Sequence, residues 1–344
     1  MTRKVFITFF FLPIAIFASS TNRKMTPPPG NLPLKVDVNL RINKVYNINT
    51  VDETYQIDGY LVYLWKDERW KRSDGHNNIR IYENDRANEV LDTGLWMPIL
   101  EFINIQGEKE CPNRRIVIQT DGEIKYKERF FGTFSSNMNF INFPFDSQTF
   151  QIQIEAFSYD KEQLVFNFIK LLKPQNMNDF LGEKWTYKDN TAYIEDIIYD
   201  EISSSTIYSR AVFKVDTTRK PEYYMWQVLL PLSIIIMASF VIFWIKDFGT
   251  QMGVGFTLML TVVAFNFYSA SILPKLPYNT FLETIIIVGY VFIFVGIILA
   301  IVNYRIYGHK PESDTNKWIR LFRIGLPMTF FTTILILFLK FNVI

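Results

Sequence analysis

The sequence predicts an α+β membrane protein, in which an N-terminal antiparallel β-sandwich is followed by a domain of four transmembrane helices. Three observations support this fold class. Apolar and polar residues alternate with a period of two over much of residues 34–218, as they do in half-buried strands. Most of the charged residues precede Arg219. The rest of the chain contains uncharged stretches that are long enough to cross a bilayer as helices.

The N-terminus has the pattern of a secretory signal. Two basic residues precede an apolar run at residues 5–18, and two serines follow it. We therefore expect residues 1–20 to be a signal peptide. Residues 21–33 include three consecutive prolines and are expected to form a disordered leader.

Residues 34–219 are predicted to form an extracellular or periplasmic β-sandwich. The dipeptide Asp121-Gly122 separates two alternating segments, which predicts a tight hairpin. Glu155 is in phase with Gln151 and Gln153, so the pattern places it on the solvent-exposed face of its strand. The predicted strands include residues 36–43, 55–65, 150–155, 192–198 and 211–216.

Residues 220–344 are predicted to form the transmembrane domain, with spans at about residues 223–245, 249–273, 281–304 and 318–340. The linker between the third and fourth spans contains several Lys and Arg residues, whereas the linker between the second and third contains only Lys275. Positive residues favour the cytoplasmic side. We therefore expect a multi-pass protein of the cell (inner) membrane, in contact with lipid and with its sandwich outside.

The predicted second span is rich in small and hydroxyl-bearing residues. Its inner half is small and polar and its outer half apolar, as expected for a water-filled pore that closes by dewetting when several copies enclose it. Small residues also allow close helix packing, so the pattern alone leaves a packing face as the alternative. Residues that are three or four positions apart lie on the same face of a helix. In this span, one such face consists of Gly253, Thr257, Leu260, Ala264, Phe267 and Ser271.

Composition excludes several kinds of site. The chain has one cysteine, Cys111, and two histidines, His76 and His309, so disulfides, structural zinc sites and Cys/His nucleophile pairs are not expected. Cys111 is expected to be a free thiol in a loop. We predict no catalytic residues, no metal site and no cofactor, and therefore no enzyme. The formal net charge of +2 gives no reason to expect a nucleic-acid partner.

Several motifs occur in a characteristic order. They are Trp-Met-Pro at residues 96–98, Phe-Pro-Phe-Asp-Ser-Gln at 143–148, Arg219, Pro231, Thr-Leu-Met-Leu-Thr at 257–261 and Leu-Pro-Lys-Leu-Pro-Tyr at 273–278. In this order the chain resembles the pentameric ligand-gated ion channels (the Cys-loop receptor superfamily), especially the disulfide-free prokaryotic branch and its amine-gated bacterial members. Ser136 and Phe150 stand where the animal receptors have paired cysteines.

The resemblance implies a homopentamer that binds a small molecule between neighbouring subunits. A carboxylate beside aromatic rings suits an organic ammonium, so a primary amine is expected. The positive charges of Arg41 and Lys127 leave an amino acid or an anionic ligand as an alternative. For the aromatic residues, the alternative is a position in the core or at the rim of the sandwich. The implied principal face is Glu101, Glu155, Phe157, Tyr199 and Tyr208, and the implied complementary face is Tyr60, Arg41 and Lys127.

The resemblance also implies how ligand binding reaches the pore. Asp146 is expected to contact the pre-membrane Arg219 beside the loop that contains Pro274 and Pro277. The alternative is a surface ion pair of small energetic value.

Asp247 and Thr250 are expected at the inner mouth of the pore, where cation channels of this superfamily usually have glutamates. Five copies of Asp247 give a negative ring that favours monovalent cations. The expected function is thus a ligand-gated cation channel. An anion-selective or pH-gated relative and a non-conducting membrane-anchored sensor are the alternatives.

Overall fold

The computed structural model describes residues 26–30, 32–72, 79–174, 177–200, 205–271, 275–307 and 312–341. The predicted signal peptide, His76, His309 and Pro274 lie outside the described residues.

The N-terminal part is a sandwich of two sheets. A six-stranded sheet has the order β3-β5-β6-β2-β1-β8, and a four-stranded sheet has the order β4-β7-β10-β9. Neighbouring described strands are antiparallel, as predicted, except that β1 and β8 run parallel. The strands are β1 (Leu34–Asn49), β2 (Thr54–Lys66), β3 (Arg80–Glu83), β4 (Leu100–Phe102), β5 (Ile105–Ile118), β6 (Glu123–Ser135), β7 (Ser147–Ala156), β8 (Leu164–Leu172), β9 (Trp185–Asp200) and β10 (Ser205–Arg219).

The core lies between the two sheets and is built by the apolar residues of the alternating pattern. Phe150, Ile152 and Ile154 of β7 are buried, and they face the side chains of the six-stranded sheet. That sheet contributes Val36, Val38, Leu40, Tyr55, Tyr126, Phe130 and Phe134, all buried. Removing such surfaces from water stabilises the fold by about 25 cal/mol per Å² of apolar area.

The hairpin between β5 and β6 forms at the predicted dipeptide. Gly122 has a φ of +87°, and a Cβ atom there would lie 2.8 Å from the backbone oxygen of Asp67. Only glycine satisfies both conditions without strain. The turn sets the register in which Ile118 pairs with Ile124.

Cys111 was predicted in a loop, and that prediction is wrong. It lies within β5, whose pairing with β6 is irregular between Gln106 and Asn113. This irregular segment is mostly polar, so the sequence there lacks the alternation of apolar and polar residues that indicates a strand. Two short helices in the sandwich domain, α1 (Asp85–Asp92) and α2 (Met177–Phe180), were also not predicted, because they are too short to show a helical period.

Part of the predicted leader lies against the sandwich. Pro27, Pro28 and Pro29 line a small cavity together with Trp96 and Tyr159. Nearby, Nη2 of Arg69 donates a hydrogen bond of 2.8 Å to the backbone oxygen of Thr26.

Within the part of the chain that the structure describes, four helical segments are long and apolar enough to cross a membrane: Glu222–Trp244, Phe248–Tyr268, Phe281–Ile306 and Ile319–Lys340. Their bounds lie close to those predicted from the sequence. The first span consists of α3 (Glu222–Tyr224), a π-helical turn (Met225–Leu229), α4 (Leu230–Phe240) and a 3₁₀ turn (Val241–Trp244), and the others are α5 (Phe248–Ala270), α6 (Phe281–Tyr307) and α7 (Glu312–Lys340). Pro231 follows the π turn, where its missing N–H prevents a regular helix.

The spans differ in how much of each is covered by the rest of the chain. In the first and third spans 44% and 39% of the most apolar stretch is buried, against 11% in each of the second and fourth. Gly289 of α6 allows close packing, since a Cβ atom there would lie 2.7 Å from Cδ1 of Ile236. The second and fourth spans therefore offer most of their surface to surroundings outside one subunit.

Candidate ligand-binding, coupling and pore sites

A row of charged residues crosses the four-stranded sheet. Glu101, Glu155, Arg210 and Glu195 are paired in register on β4, β7, β10 and β9. Nε of Arg210 donates to a carboxylate oxygen of Glu155, and Nη1 lies 3.8 Å from Glu195. The Tyr199 hydroxyl lies 3.2 and 3.3 Å from the two Glu155 oxygens. The charge of Glu155 is thus neutralised within its own subunit.

The prediction that Glu155 is solvent-exposed is wrong. The side of the strand is as predicted, but the residue is only 4% exposed because Arg210 and Tyr199 cover it. A buried carboxylate is tolerated when it is paired and hydrogen-bonded. Burial, followed by the negative charge of Glu155, raises the pKa of Tyr199, so its phenol stays protonated and donates to the carboxylate.

Two of the predicted principal-face aromatics lie beside this pair. The rings of Tyr199 and Tyr208 meet edge-to-face with centroids 5.6 Å apart. Phe157 is 63% exposed, and Glu101 is also exposed at the edge of the row. The core alternative therefore does not hold for Phe157. Of the predicted aromatic residues, Tyr199 contacts the neutralised carboxylate and Tyr208 packs on Tyr199.

The predicted complementary-face residues lie together on the other sheet. Arg41 and Tyr60 are register partners on β1 and β2, and Nζ of Lys127 lies 4.4 Å from the ring centroid of Tyr60. Within the described part of one subunit, no hydrogen bond, ion pair or ring contact joins this group to the Glu155 group. A site that uses both groups needs two copies of the chain.

Asp146 and Arg219 form a buried, two-pronged ion pair. Nε and Nη2 of Arg219 donate to the two Asp146 oxygens at 2.7 and 3.1 Å, and Gln148 donates to the same carboxylate at 2.6 Å. The side chains of the ion pair are only 3% and 1% exposed. The surface ion pair that was the alternative is therefore excluded.

The loop that carries Asp146 (residues 137–146, the signature loop) contacts the membrane domain. Backbone N–H groups of Phe281 and Leu282, at the start of α6, donate to the carbonyls of Ile141 and Phe143 at 2.8 and 3.3 Å. The Tyr278 hydroxyl accepts from the N–H of Phe140 at 3.2 Å. Pro277 is exposed beside this contact. The signature loop is thus bonded directly to the segment between α5 and α6.

Ser136 and Phe150, which stand where the animal receptors have paired cysteines, are held by non-covalent contacts. Ser136 Oγ donates to the backbone oxygen of Thr149 at 3.1 Å and accepts from the N–H of Gln151 at 3.3 Å. The Phe150 ring packs against Tyr55 with centroids 4.7 Å apart. The signature loop is closed at its base without a cross-link.

The predicted pore face of α5 is exposed along its whole length: Gly253, Thr257, Leu260, Ala264, Phe267 and Ser271 are all exposed. Leu260 and Phe267 are 69% and 73% exposed, whereas Val262 on the opposite side is fully buried. Thr257 donates its hydroxyl proton to the Gly253 carbonyl at 2.8 Å, which leaves the hydroxyl oxygen free to accept. The small-residue face therefore does not pack against another span of the same subunit.

Asp247 lies immediately before α5. Its Oδ2 accepts a hydrogen bond of 2.6 Å from the N–H of Thr250, which caps the helix. This bonding to Thr250 lowers the pKa of Asp247. The carboxylate is therefore ionised near neutral pH, and Asp247 and Thr250 are both exposed.

The sandwich also matches a known family. The family described as the neurotransmitter-gated ion-channel ligand binding domain matches residues 16–221. This chain belongs to the neurotransmitter-gated ion-channel family. It is 25% identical to the proton-gated ion channel of Gloeobacter violaceus over 319 aligned residues. The aligned region covers 92% of this chain and 86% of that protein.

Subunits of animal receptors are similar over a shorter part of their length. The gamma-aminobutyric acid receptor subunit beta of Caenorhabditis elegans is 27% identical over 304 residues, or 86% of this chain and 54% of that protein. The human gamma-aminobutyric acid receptor subunit rho-2 is 24% identical over 293 residues, which are 81% of this chain and 60% of that protein. The chain thus spans little more than half the length of these animal relatives.

Membership confirms the resemblance that the motifs predicted. The protein is a multi-pass membrane protein with a ligand-binding domain before four spans, and its family is one of ligand-gated ion channels and not of enzymes. The names of the relatives differ in the stimulus: one is proton-gated, and the others belong to receptors for gamma-aminobutyric acid.

Two residues of this ion channel were not singled out from the sequence. Arg210 is the only charged residue between Ser205 and Lys214, and this isolation in a strand beside Tyr208 was the available signal. Trp185 packs on Arg219, with the guanidinium carbon 4.2 Å from its ring centroid. No local pattern around Trp185 indicates this contact, because it depends on how β9 pairs with β10.

Proposed function

We propose that the chain assembles as a homopentameric ligand-gated channel. In this proposal α5 of each subunit lines a central pore, and a small molecule bound between neighbouring sandwiches opens it. The observation that carries the proposal is the α5 face of small and polar residues that no other span of the subunit covers.

The two poorly covered spans differ in what they expose. On α5 the exposed face includes Gly253, Thr257 and Ala264, which suit contact with water. The exposed face of α7 includes Leu321, Ile324, Met328, Phe331 and Leu335. Large apolar side chains suit contact with lipid, so the comparison supports α7 at the periphery and α5 at the centre.

The ligand site is proposed at the subunit interface, because the Glu155 group and the Tyr60 group do not meet within one subunit. A simple amine was expected on the basis of a free carboxylate beside aromatic rings. Arg210 already neutralises Glu155, which leaves Glu101 as the exposed carboxylate of that group. The cations Arg41 and Lys127 stand beside Tyr60 in the other group. Because the two groups together offer charges of both signs, we favour an amino acid over a primary amine.

Cation permeation is proposed on the ionised Asp247 at the start of α5. Five copies of this exposed carboxylate give a ring that attracts monovalent cations. Gating by protons is a second candidate, supported by the similarity of the channel from Gloeobacter violaceus over 92% of this chain. Current responses to pH steps without any organic ligand distinguish the two stimuli.

Cysteine accessibility tests the pore. In a Cys111→Ser background, which contains no other cysteine, we expect Thr257→Cys and Ala264→Cys to react with a charged, water-soluble thiol reagent and to lose current in planar bilayers. Val262→Cys, on the buried side of α5, and Phe331→Cys, on the exposed face of α7, are the matched controls. Equal protection of all four cysteines, in the open and the closed state, contradicts a pore along this face.

A further inference from the structure

A cavity of about 260 Å³ lies between the leader and the sandwich. Its lining includes the prolines at residues 27–29 and the rings of Trp96 and Tyr159, whose centroids are 5.7 Å apart. Leu34 and Leu164 add further apolar surface. Protein interiors contain few voids larger than a water molecule, and an apolar cavity of about 150 Å³ is enough to bind benzene. This cavity therefore has room for an aromatic ring.

The leader is bonded to the sandwich before and after its prolines. The backbone oxygen of Thr26 accepts from Arg69 at 2.8 Å, and Arg69 is itself paired with the buried carboxylate of Asp67. The N–H of Leu34 donates to the backbone oxygen of Gln163 at 2.8 Å. Prolines have no N–H group, so residues 27–29 cannot close the space by pairing with the sheet as a strand. The cavity is thus present before any ligand binds.

The cavity has few polar side chains and no charged one. Within the described residues, Tyr159 and Gln163 supply the polar side chains of its lining. The Trp96 indole N–H is already used, because it donates to the Tyr159 hydroxyl at 3.0 Å. In the part of the chain that the structure describes, nothing accepts the proton of that hydroxyl, and the Gln163 carboxamide forms no hydrogen bond. The lining therefore suits a neutral ring with a single polar group.

We propose that this cavity binds a small neutral aromatic molecule with one hydrogen-bonding group, of which phenol is the simplest example. The ring lies among the prolines and Trp96, and the ligand oxygen accepts the free proton of Tyr159. Gln163 and Leu32, which are both exposed, line the opening to solvent. The site goes beyond the proposed function, since its described lining contains no residue of the Glu155 group or the Tyr60 group.

Calorimetry on the full-length protein in detergent, with the detergent alone as the blank, tests the site with phenol, toluene and benzoate. Phenol and toluene should bind. Benzoate should not, because no cation of the lining offsets the cost of burying its charge. Gln163→Phe places a ring at the opening and should remove the phenol heat of this site. Glu162→Phe adds the same ring at the adjacent exposed position, outside the lining, and should bind phenol as the wild type does.

Tyr159→Phe separates a bond to the ligand from a general change of structure. The variant keeps the ring and loses the hydroxyl, so phenol should bind about three- to ten-fold more weakly, the usual effect of one hydrogen bond. Toluene, which has no oxygen, should bind as before. Equal weakening of phenol and toluene overturns the assigned bond.

Two further outcomes overturn the site as a whole. One is an equal phenol heat from Gln163→Phe and Glu162→Phe, and the other is equal binding of benzoate and phenol. These measurements need no current. A protein that binds phenol as expected but never conducts supports the site and contradicts the channel, whereas a conducting channel without this phenol heat retains the channel and loses the site.

Discussion

The guanidinium carbon of Arg219 lies 4.2 Å from the ring centroid of Trp185, while the guanidinium nitrogens donate hydrogen bonds to Asp146. Phe143 of the signature loop flanks the same guanidinium at 5.0 Å. Arg219 is the last residue of β10 and lies three residues before Glu222, where the first span begins. One side chain thus joins the end of the sandwich, the signature loop and the entry to the membrane.

Arg219→Ala is expected to abolish assembly or gating. The change leaves Asp146 buried without its cation, which typically costs about 3–5 kcal/mol. Thermal unfolding of the purified protein and ligand-evoked current measure the two effects. Arg219→Lys should be intermediate, because lysine keeps the charge but not the two-pronged geometry. The neighbouring exposed Lys220 provides the control Lys220→Ala. Normal currents from Arg219→Ala would show that the pair does not couple the domains.

Ser136→Ala is expected to destabilise the sandwich. The hydroxyl is buried and donates to the Thr149 carbonyl, whereas the Gln151 N–H that it accepts is also bonded to the Tyr55 hydroxyl. Its removal therefore costs mainly the bond to Thr149, about 1 kcal/mol. A lower midpoint of thermal unfolding checks this. Ser205→Ala, at the exposed start of β10, should leave the midpoint unchanged. Equal midpoints for both variants contradict a role for Ser136 in closing the signature loop.

The sequence predicted features that depend on neighbours along the chain. Alternation located the strands, and the same kind of periodicity placed Thr257 and Leu260 on the exposed face of α5. It did not predict the Glu155–Arg210 pair, because that contact depends on the register of β7 and β10, which are 55 residues apart at this point. Trp185 at Arg219 was missed for the same reason. Which side chains meet across a sheet depends on how its strands pair, and the sequence around each residue does not indicate that pairing.

Leu260→Ser is expected to produce current without ligand. Leu260 is one of the two large apolar residues of the predicted pore face, with Phe267, and is 69% exposed in the single subunit, so a hydroxyl there favours water in the closed pore. Single-channel recording measures the unliganded open probability. Ile324→Ser, on the exposed face of α7, is the control and should not conduct on its own. If neither variant passes current without ligand, there is no hydrophobic gate at Leu260.

Cys111 is expected to react slowly with thiol reagents. Burial, followed by the negative charge of Glu128, raises the pKa of its thiol, and the thiolate is the reactive form. At any pH below that pKa the thiolate fraction is therefore smaller than for an ordinary cysteine, and the rate rises with pH in a higher window. Ser205→Cys in the Cys111→Ser background gives the exposed reference. Identical pH profiles for the two cysteines contradict the raised pKa.

Asp247→Asn is expected to reduce cation selectivity while it preserves the helix. Asparagine still accepts the hydrogen bond from Thr250 that begins α5, and it is as good a cap as aspartate, so the change removes five charges from the pentamer without removing the cap. The reversal potential under a KCl gradient should move towards zero. Lys246→Gln, which removes the adjacent exposed cation, should move it in the opposite direction. A wild-type channel that selects chloride, or a reversal potential that is the same in Asp247→Asn, shows that this ring does not set the selectivity. Because the two substitutions alter neighbouring charges of opposite sign, a shift in one direction for both would indicate a change of structure and not of electrostatics.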